Sequence, residues 1–410
     1  MSAPPTPERR RPLAPLSALP RSPLLSYARR ALDVLRPPRA LRERARLAFR
    51  ELMSSNRWVW LRSYLRERFG PRHPFPRYPA GVRGAGVYPL AAADGGSVRV
   101  ALAGDWASGT DEAAAVAARI AAWKPHFTIH LGDVYYVGDA AEVRANFLGE
   151  RAGSFEPVAW PRGSVGTFAL NGNHEMYARG TGYFEQLLPA IGFGAEHGQP
   201  ASFFCLENEY WRIVALDTGY NSVGWPLLEE LPFWPFEPAN NLGAPQLRWL
   251  RALLQADATP RALVILTHHG PYSRFEHGYI KPARQLRRHI KGPVLWFWGH
   301  EHRIAVYGRH HADRGLEAWG RCVGHGGMPV EFPHRVIDPR LRLEFTDERR
   351  YPNDEHLEIG YNGYATLEFA GDALAVSYCD LQGTTVFREQ WQARGGTLER
   401  GAAGPVAAAG

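Results

Sequence analysis

Phe127-Thr128-Ile129-His130-Leu131-Gly132-Asp133 is a short apolar run that stops on a glycine and a carboxylate. Its length, its β-branched residues and the glycine that closes it predict a strand, Phe127 to Gly132. The same shape recurs along the chain. Ser97 to Gly104 ends in Asp105, and Phe168 to Leu170 runs into Asn171-Gly172-Asn173-His174-Glu175. Ala262 to Thr267 ends in His268-His269, and Val294 to Gly299 ends in His300-Glu301-His302. A further strand is predicted over Arg212 to Leu216. Helical patterns fall between them at Asp111 to Trp123, Gln246 to Gln255 and Pro282 to Ile290, the first one capped by its own acids. Three late strands, Tyr364 to Phe369, Leu374 to Cys379 and Thr384 to Arg388, are joined by tight Gly and Asp turns. Strands alternating with helices and then hairpins predict an α/β fold with sheets packed between helices.

The end of each strand carries the chemistry. Alone, an Asp after a strand is a turn or cap residue more often than a ligand, and a lone His-x-His is usually surface. Five such ends in one chain are a different observation. They deliver oxygen and nitrogen ligands for hard and borderline metals to the carboxyl edge, where open α/β sheets place their sites. No Gly-rich phosphate loop and no cysteine pair competes with them.

The order Asp, Gly-Asp, Gly-Asn-His-Glu, His, Gly-His-x-His resembles that of the calcineurin-like metallophosphoesterases over Val98 to Tyr307. Gly104-Asp105-Trp106 and Gly132-Asp133-Val134-Tyr135-Tyr136 are most similar to purple acid phosphatases. Those enzymes lack the His that most of the superfamily has two residues after the first Asp, here Ala107. They use instead a Tyr three residues after the second Asp, here Tyr136. The resemblance implies a metallophosphoesterase-type β-sandwich of two mixed sheets flanked by helices, four layers in the order αββα. It implies one metal held by Asp105, Asp133, Tyr136 and His302, and a second held by Asp133, Asn173, His268 and His300. His174 would then sit over the substrate phosphate as the catalytic proton donor. The pair of ions expected is Fe³⁺ with Fe²⁺, Zn²⁺ or Mn²⁺, because a phenolate oxygen suits a hard trivalent ion. The activity implied is hydrolysis of phosphate monoesters by a hydroxide bridging the two metals, the purple acid phosphatase reaction. A phosphodiesterase acting on a cyclic nucleotide, lipid or nucleic acid is the alternative enzyme, and a metal-binding scaffold acting through a basic arm is the alternative without turnover.

Other residues invite weaker readings. His269 follows a ligand and is expected on the other face of its strand, so substrate contact and packing stand level. His325, within Gly324-His325-Gly326-Gly327, is either a substrate contact or a surface turn. The aromatic and Pro-rich stretch Trp225 to Phe236 reads as a buried insertion rather than a lid. Tyr177 to Pro200 and Tyr220 to Asn241 are the expected recognition loops, and nothing in them names the substrate. The loop that begins at Ala107 differs from the glycine pair usual in the plant purple enzymes, and no counterpart of their N-terminal β-domain is expected in this sequence.

Charge divides the chain. Of a net +7, residues 1–50 carry +9, from twelve Arg, no Lys and three acids, leaving −2 for residues 51–410. The catalytic body is therefore not a basic nucleic-acid surface. Residues 1–38, rich in Pro, Arg, Ser and Ala, are expected to be a disordered basic arm. Residues 39–86 are expected to be a helical extension and linker, docked on the body or lying on an anionic membrane or protein partner. Residues 87–393 are the expected catalytic domain, and 394–410 a flexible tail. Cys205, Cys322 and Cys379 stand singly in apolar stretches and read as buried thiols. No run is apolar enough for a signal peptide or a membrane-spanning helix, so a cytoplasmic location is expected.

Overall fold

The computed structural model describes residues 64–406, except 80–81, 83, 93–94, 152–156, 195–197, 224–239, 257–258, 314–315, 331, 333–335 and 352–358. The expected arm, most of the helical extension and the Trp225 to Phe236 insertion lie outside the described residues. The strands are β1 (Val87–Pro89), β2 (Val98–Ala103), β3 (Phe127–His130), β4 (Gly166–Ala169), β5 (Gly192–Phe193), β6 (Phe204–Glu207), β7 (Trp211–Ala215) and β8 (Ala262–Thr267). They continue with β9 (Val294–Trp298), β10 (Ile304–Asp313), β11 (Leu316–Val323), β12 (Leu343–Phe345), β13 (Gly363–Ala370), β14 (Ala373–Asp380), β15 (Thr385–Arg394) and β16 (Thr397–Pro405).

These strands build two mixed eight-stranded sheets, ordered β1-β6-β7-β8-β9-β11-β10-β12 and β16-β15-β14-β13-β2-β3-β4-β5. The strands that lead into the five motifs run parallel to one another within each sheet: β2, β3 and β4 in one, β8 and β9 in the other. Alternation along each strand sorts the layers. Val100, Leu102, Ile129, Val264, Leu266, Leu295 and Phe297 face the space between the sheets. From the same strands Ala101 and Ala103 pack under Val116 and Ile120 of the helix Asp111–Trp123. On the opposite outer face Ile265, Trp296 and Trp298 meet Leu250 and Leu253 of Ala244–Gln255, with Ala283 and Leu286 of Ile280–Leu286. The result is the four-layer αββα sandwich that the resemblance implied.

Two local expectations are corrected. The helix Asp111–Trp123 is capped by Thr110, whose hydroxyl accepts from Ala113 N at 3.0 Å, with Asp111 and Glu112 in the first turn rather than at the cap. The expected flexible tail contains β16, which pairs antiparallel with β15 from Arg394↔Thr397 to Phe387↔Pro405. Its Gly and Ala content misled because an edge strand is held by its ladder and needs little apolar alternation; of its residues, Leu398 is buried.

A charge pair crosses the inter-sheet core. Arg321 of β11 donates from Nε and Nη2 to Glu389 of β15 at 2.8 and 2.7 Å, and both side chains are fully buried. Tyr378 donates to the same carboxylate at 2.8 Å. Burial opposes ionisation of Glu389, yet Arg321 holds its pKa below the ordinary 4.5. The pair therefore stabilises the fold above about pH 4.5, and that contribution is lost as pH falls through the depressed value. Arg321→Met should cost about 3 kcal/mol in urea unfolding at neutral pH, because it leaves the buried carboxylate only the Tyr378 hydroxyl and the longer 3.4 Å contact of Arg400. Arg321→Met/Glu389→Leu should recover most of that loss; a double variant as unstable as the single would mean that packing, not the unpaired charge, sets the cost.

Candidate metal centre

The ligand-bearing loops meet because glycines let the two sheets touch at their carboxyl ends. A Cβ on Gly104, after β2, would lie 2.8 Å from Gly299 Cα, after β9. One on Gly172 would lie 2.0 Å from Asp133 Oδ1. Asp105, Asp133 and His300 themselves adopt left-handed backbone, φ 56°, 73° and 66°. That uncommon conformation turns each side chain back over the end of its strand, and it persists only where the surroundings enforce it.

Part of the enforcement is Glu175. Its carboxylate is fully buried and accepts from the backbone N–H groups of Gly172, Asp133 and Val134 at 3.0, 3.2 and 3.1 Å. One side chain thus ties the Gly-Asp loop to the Gly-Asn-His-Glu loop.

The donor atoms then converge. Asp133 Oδ1 accepts from His174 N at 3.0 Å, while Oδ2 lies 3.2 Å from His268 Nε2 and 3.9 Å from His174 Nε2. His268 Nε2 also faces Asn173 Oδ1 at 3.3 Å. Asp105 Oδ2 accepts from His300 N at 2.6 Å, and its Oδ1 lies 3.4 Å from His302 Nε2. Asp105, Asp133 and His268 form one group of atoms that all lie within 4.8 Å of one another, and His268, His269 and His300 form another.

This donor set fits a cation. His268 Nδ1 lies 2.9 Å from the carbonyl of Leu131, which can only accept, so Nδ1 carries the hydrogen and neutral His268 has its lone pair on Nε2. That lone pair then faces the oxygens of Asp133 and Asn173, an arrangement that calls for positive charge between them. Burial pulls against a charged His268, but Asp133, Asp105 and Glu175 overcome it and push the pKa up to about 9.

Tyr136 is not among these atoms. The hydroxyl that reaches the carboxylates is that of Tyr135, 2.7 Å from Asp105 Oδ1, 3.2 Å from Asp133 Oδ2 and 2.9 Å from His302 Nε2. The Tyr136 hydroxyl is buried without a hydrogen-bond partner among the described residues, and burial, with Glu142 nearby, holds its pKa well above 10. The resemblance selected Tyr136 by its distance from Asp133. In this structure the segment is a turn in which Glu142 binds the N–H groups of Tyr136 and Val137.

The two weaker candidates separate. His269 lies beyond the end of β8, so alternation does not turn it away. Its ring is 4.3 Å from that of His300, and Thr218 Oγ1 lies 3.0 Å from its Nδ1. His325 is buried, not a surface turn. Its Nε2 lies 2.9 Å from where a Cβ on Gly363 would be, and its Nδ1 has no hydrogen-bond partner among the described residues. Burial pushes its pKa down to about 4. Sequence reasoning missed Tyr279, whose hydroxyl is 2.8 Å from His300 Nε2 and so fixes the orientation of that ring. No spacing signal marks it, because it lies in a loop before the helix Ile280–Leu286.

The family model of calcineurin-like phosphoesterases matches residues 98–303, the stretch from β2 to the last histidine of the cluster. The chain belongs to the calcineurin-like phosphoesterase family. Among solved structures, the chain is similar to the purple acid phosphatase PPD1 from yellow lupin (Lupinus luteus) seeds, at 14% identity and a TM-score of 0.46 over 73% of this chain. It spans 54% of that enzyme's length. It is also similar to GAP50, described as the anchor in the inner membrane complex of Plasmodium, at 13% identity and a TM-score of 0.48, over 73% of this chain and 90% of that one. The likeness to PhoD has 13% identity and a TM-score of 0.44, over 77% and 73% of the two chains. No curated protein sequence matches the chain. Among the described residues, no helix is long and apolar enough to cross a membrane.

Proposed function

We propose that this phosphoesterase hydrolyses phosphate monoesters at a two-metal centre, with Asp133 shared between the metals. The observation that carries this reading is the position of Asp133 Oδ2, which is 3.2 Å from the Tyr135 hydroxyl on one side and 3.2 Å from His268 Nε2 on the other. Asp105, Asp133, Tyr135 and His302 would hold one ion; Asp133, Asn173, His268 and His300 would hold the second, with His269 beside them. Two cations held this way supply Lewis acidity, polarising phosphoryl oxygens and making water nucleophilic near neutral pH. The chain's own residues orient and protonate. Glu175 keeps both ligand loops in register and Tyr279 sets the His300 ring. His174, whose Nδ1 hydrogen faces the Tyr136 carbonyl, would donate to the leaving oxygen from Nε2 in its doubly protonated form, a form that burial disfavours and the carboxylate of Asp133 favours.

Tyr135 takes the place that the resemblance assigned to Tyr136. With Ala107 where most of the superfamily has a histidine, the first ion needs another donor, and the Tyr135 hydroxyl lies against both carboxylates. If the ion is Fe³⁺, a Tyr135 phenolate gives the purified protein a violet charge-transfer band. Tyr135→Phe should bleach that band and weaken metal binding by about 10- to 100-fold, whereas Tyr136→Phe should leave both unchanged. Metal analysis and a panel of monoester and diester substrates test the rest. Equal or faster turnover of diesters would replace the monoesterase reading, and one metal per chain at full activity would overturn the two-metal centre.

A further inference from the structure

The turn that leads into the catalytic fold has two faces. Residues 64–67 are helical, and Arg68 N donates to Tyr64 O at 2.8 Å. Tyr64 and Arg68, four residues apart, are 1% and 0% exposed. Tyr64 packs with Val137 and Tyr177, its ring 5.8 Å from that of Tyr177, and Arg66 reaches Asp139 at 2.8 Å. That face is anchored to the body. Leu65 and Phe69, also four apart, are 45% and 60% exposed and point away from it.

Such a pair, side by side on one turn, is an apolar face that none of the described residues covers. The sequence just before it is chemically unusual: Trp58, Trp60 and Leu61 stand among Arg57 and Arg62, and residues 1–50 carry a net +9. The rest of the chain sums to −2, so the excess positive charge lies at this end. Arginines alone would suit a nucleic acid as well. Leu65 and Phe69, with two tryptophans upstream, suit the headgroup region of a bilayer, where aromatic and aliphatic side chains bury while arginines pair with lipid phosphates.

We infer that this phosphoesterase is a peripheral membrane protein, in which Leu65 and Phe69 sit in the headgroup region of an anionic bilayer and the arginines of residues 1–50 supply the attraction. Binding then has an apolar and an electrostatic part, and each is separately removable.

The test uses the full-length protein and vesicle co-sedimentation, with vesicles of phosphatidylcholine alone and of phosphatidylcholine mixed with phosphatidylserine. The protein should sediment with the anionic vesicles only, and less as salt rises. Leu65→Glu/Phe69→Glu should weaken that binding about tenfold or more without changing the melting temperature, since both side chains are exposed. Arg9→Ser/Arg10→Ser/Arg11→Ser should weaken it and flatten the salt dependence. Equal binding to both vesicle types, or anionic binding unaffected by Leu65→Glu/Phe69→Glu, would overturn the inference. So would self-association abolished by that double substitution without vesicle binding, which assigns the face to a second copy, or retention of RNA without vesicle binding, which assigns the arm to nucleic acid.

Discussion

Asp133→Asn is expected to abolish turnover, by about 10⁴-fold or more in kcat/KM, and to cost the protein at least one metal while leaving it folded. The substitution keeps the shape of the side chain. Its Oδ1 would still accept the His174 N–H that Asp133 accepts at 3.0 Å, so the loop has no reason to move. What changes is the atom 3.2 Å from both His268 Nε2 and the Tyr135 hydroxyl. There an amide nitrogen replaces a charged oxygen, and a donor cannot ligate a cation. The negative charge shared by both proposed ions is lost with it. A loss of about 10⁴-fold corresponds to about 5.5 kcal/mol of transition-state stabilisation, more than a single neutral hydrogen bond supplies, so an effect of this size identifies the charge. Metal content, the far-ultraviolet circular dichroism spectrum and turnover, measured on one preparation, decide the matter. Full metal content with near-parental turnover would remove Asp133 from its bridging position.

The fold and most of the candidate site were legible because both follow from local patterns. Asp111–Trp123 and Ala262–Thr267 were delimited as predicted, one by a run of small apolar residues and the other by unbroken β-branched and leucine residues. The glycines before Asp105, Asp133 and His300 mark close approaches, and the residues after them are brought together as the motifs implied. What escaped was decided at longer range. β10 and β11 pair across a bulge and carry Arg309, His310 and His311 in the middle of the ladder, so neither alternation nor hydropathy marks them as strands. Tyr135 and Tyr136 are chemically identical neighbours, and which of them faces Asp105 depends on Glu142 gripping the turn from the next helix, Ala140–Asn146. Tyr279 reaches His300 from a loop that sequence spacing does not connect to it. Residues fixed by their own strand were readable; residues fixed by a partner elsewhere in the chain were not.

His174→Ala should keep the metals of the proposed centre and lose about 10²- to 10⁴-fold in kcat, with the larger loss on substrates that have poor leaving groups. His174 follows the proposed ligand Asn173, yet its ring is oriented differently from those of the ligands. Its Nδ1 lies 2.5 Å from the Tyr136 carbonyl oxygen, which can only accept, so Nδ1 holds a hydrogen and Nε2 points toward the cluster. Nε2 is 3.9 Å from Asp133 Oδ2, against 3.2 Å for Nε2 of His268. The His174 side chain is 16% exposed where that of His268 is fully buried. It therefore stands at the mouth of the centre, against the rings of Tyr135 and Tyr177 at 4.3 and 5.1 Å, with its outer nitrogen available to a bound ester. An aryl phosphate expels a phenolate that needs little help from a proton, whereas an alkyl phosphate expels a strongly basic alkoxide. Removal of a proton donor must then hurt the alkyl ester more, and added imidazole should restore part of that rate. An equal loss on both esters would make His174 a phosphate-binding residue only, and loss of a metal in the variant would make it a ligand.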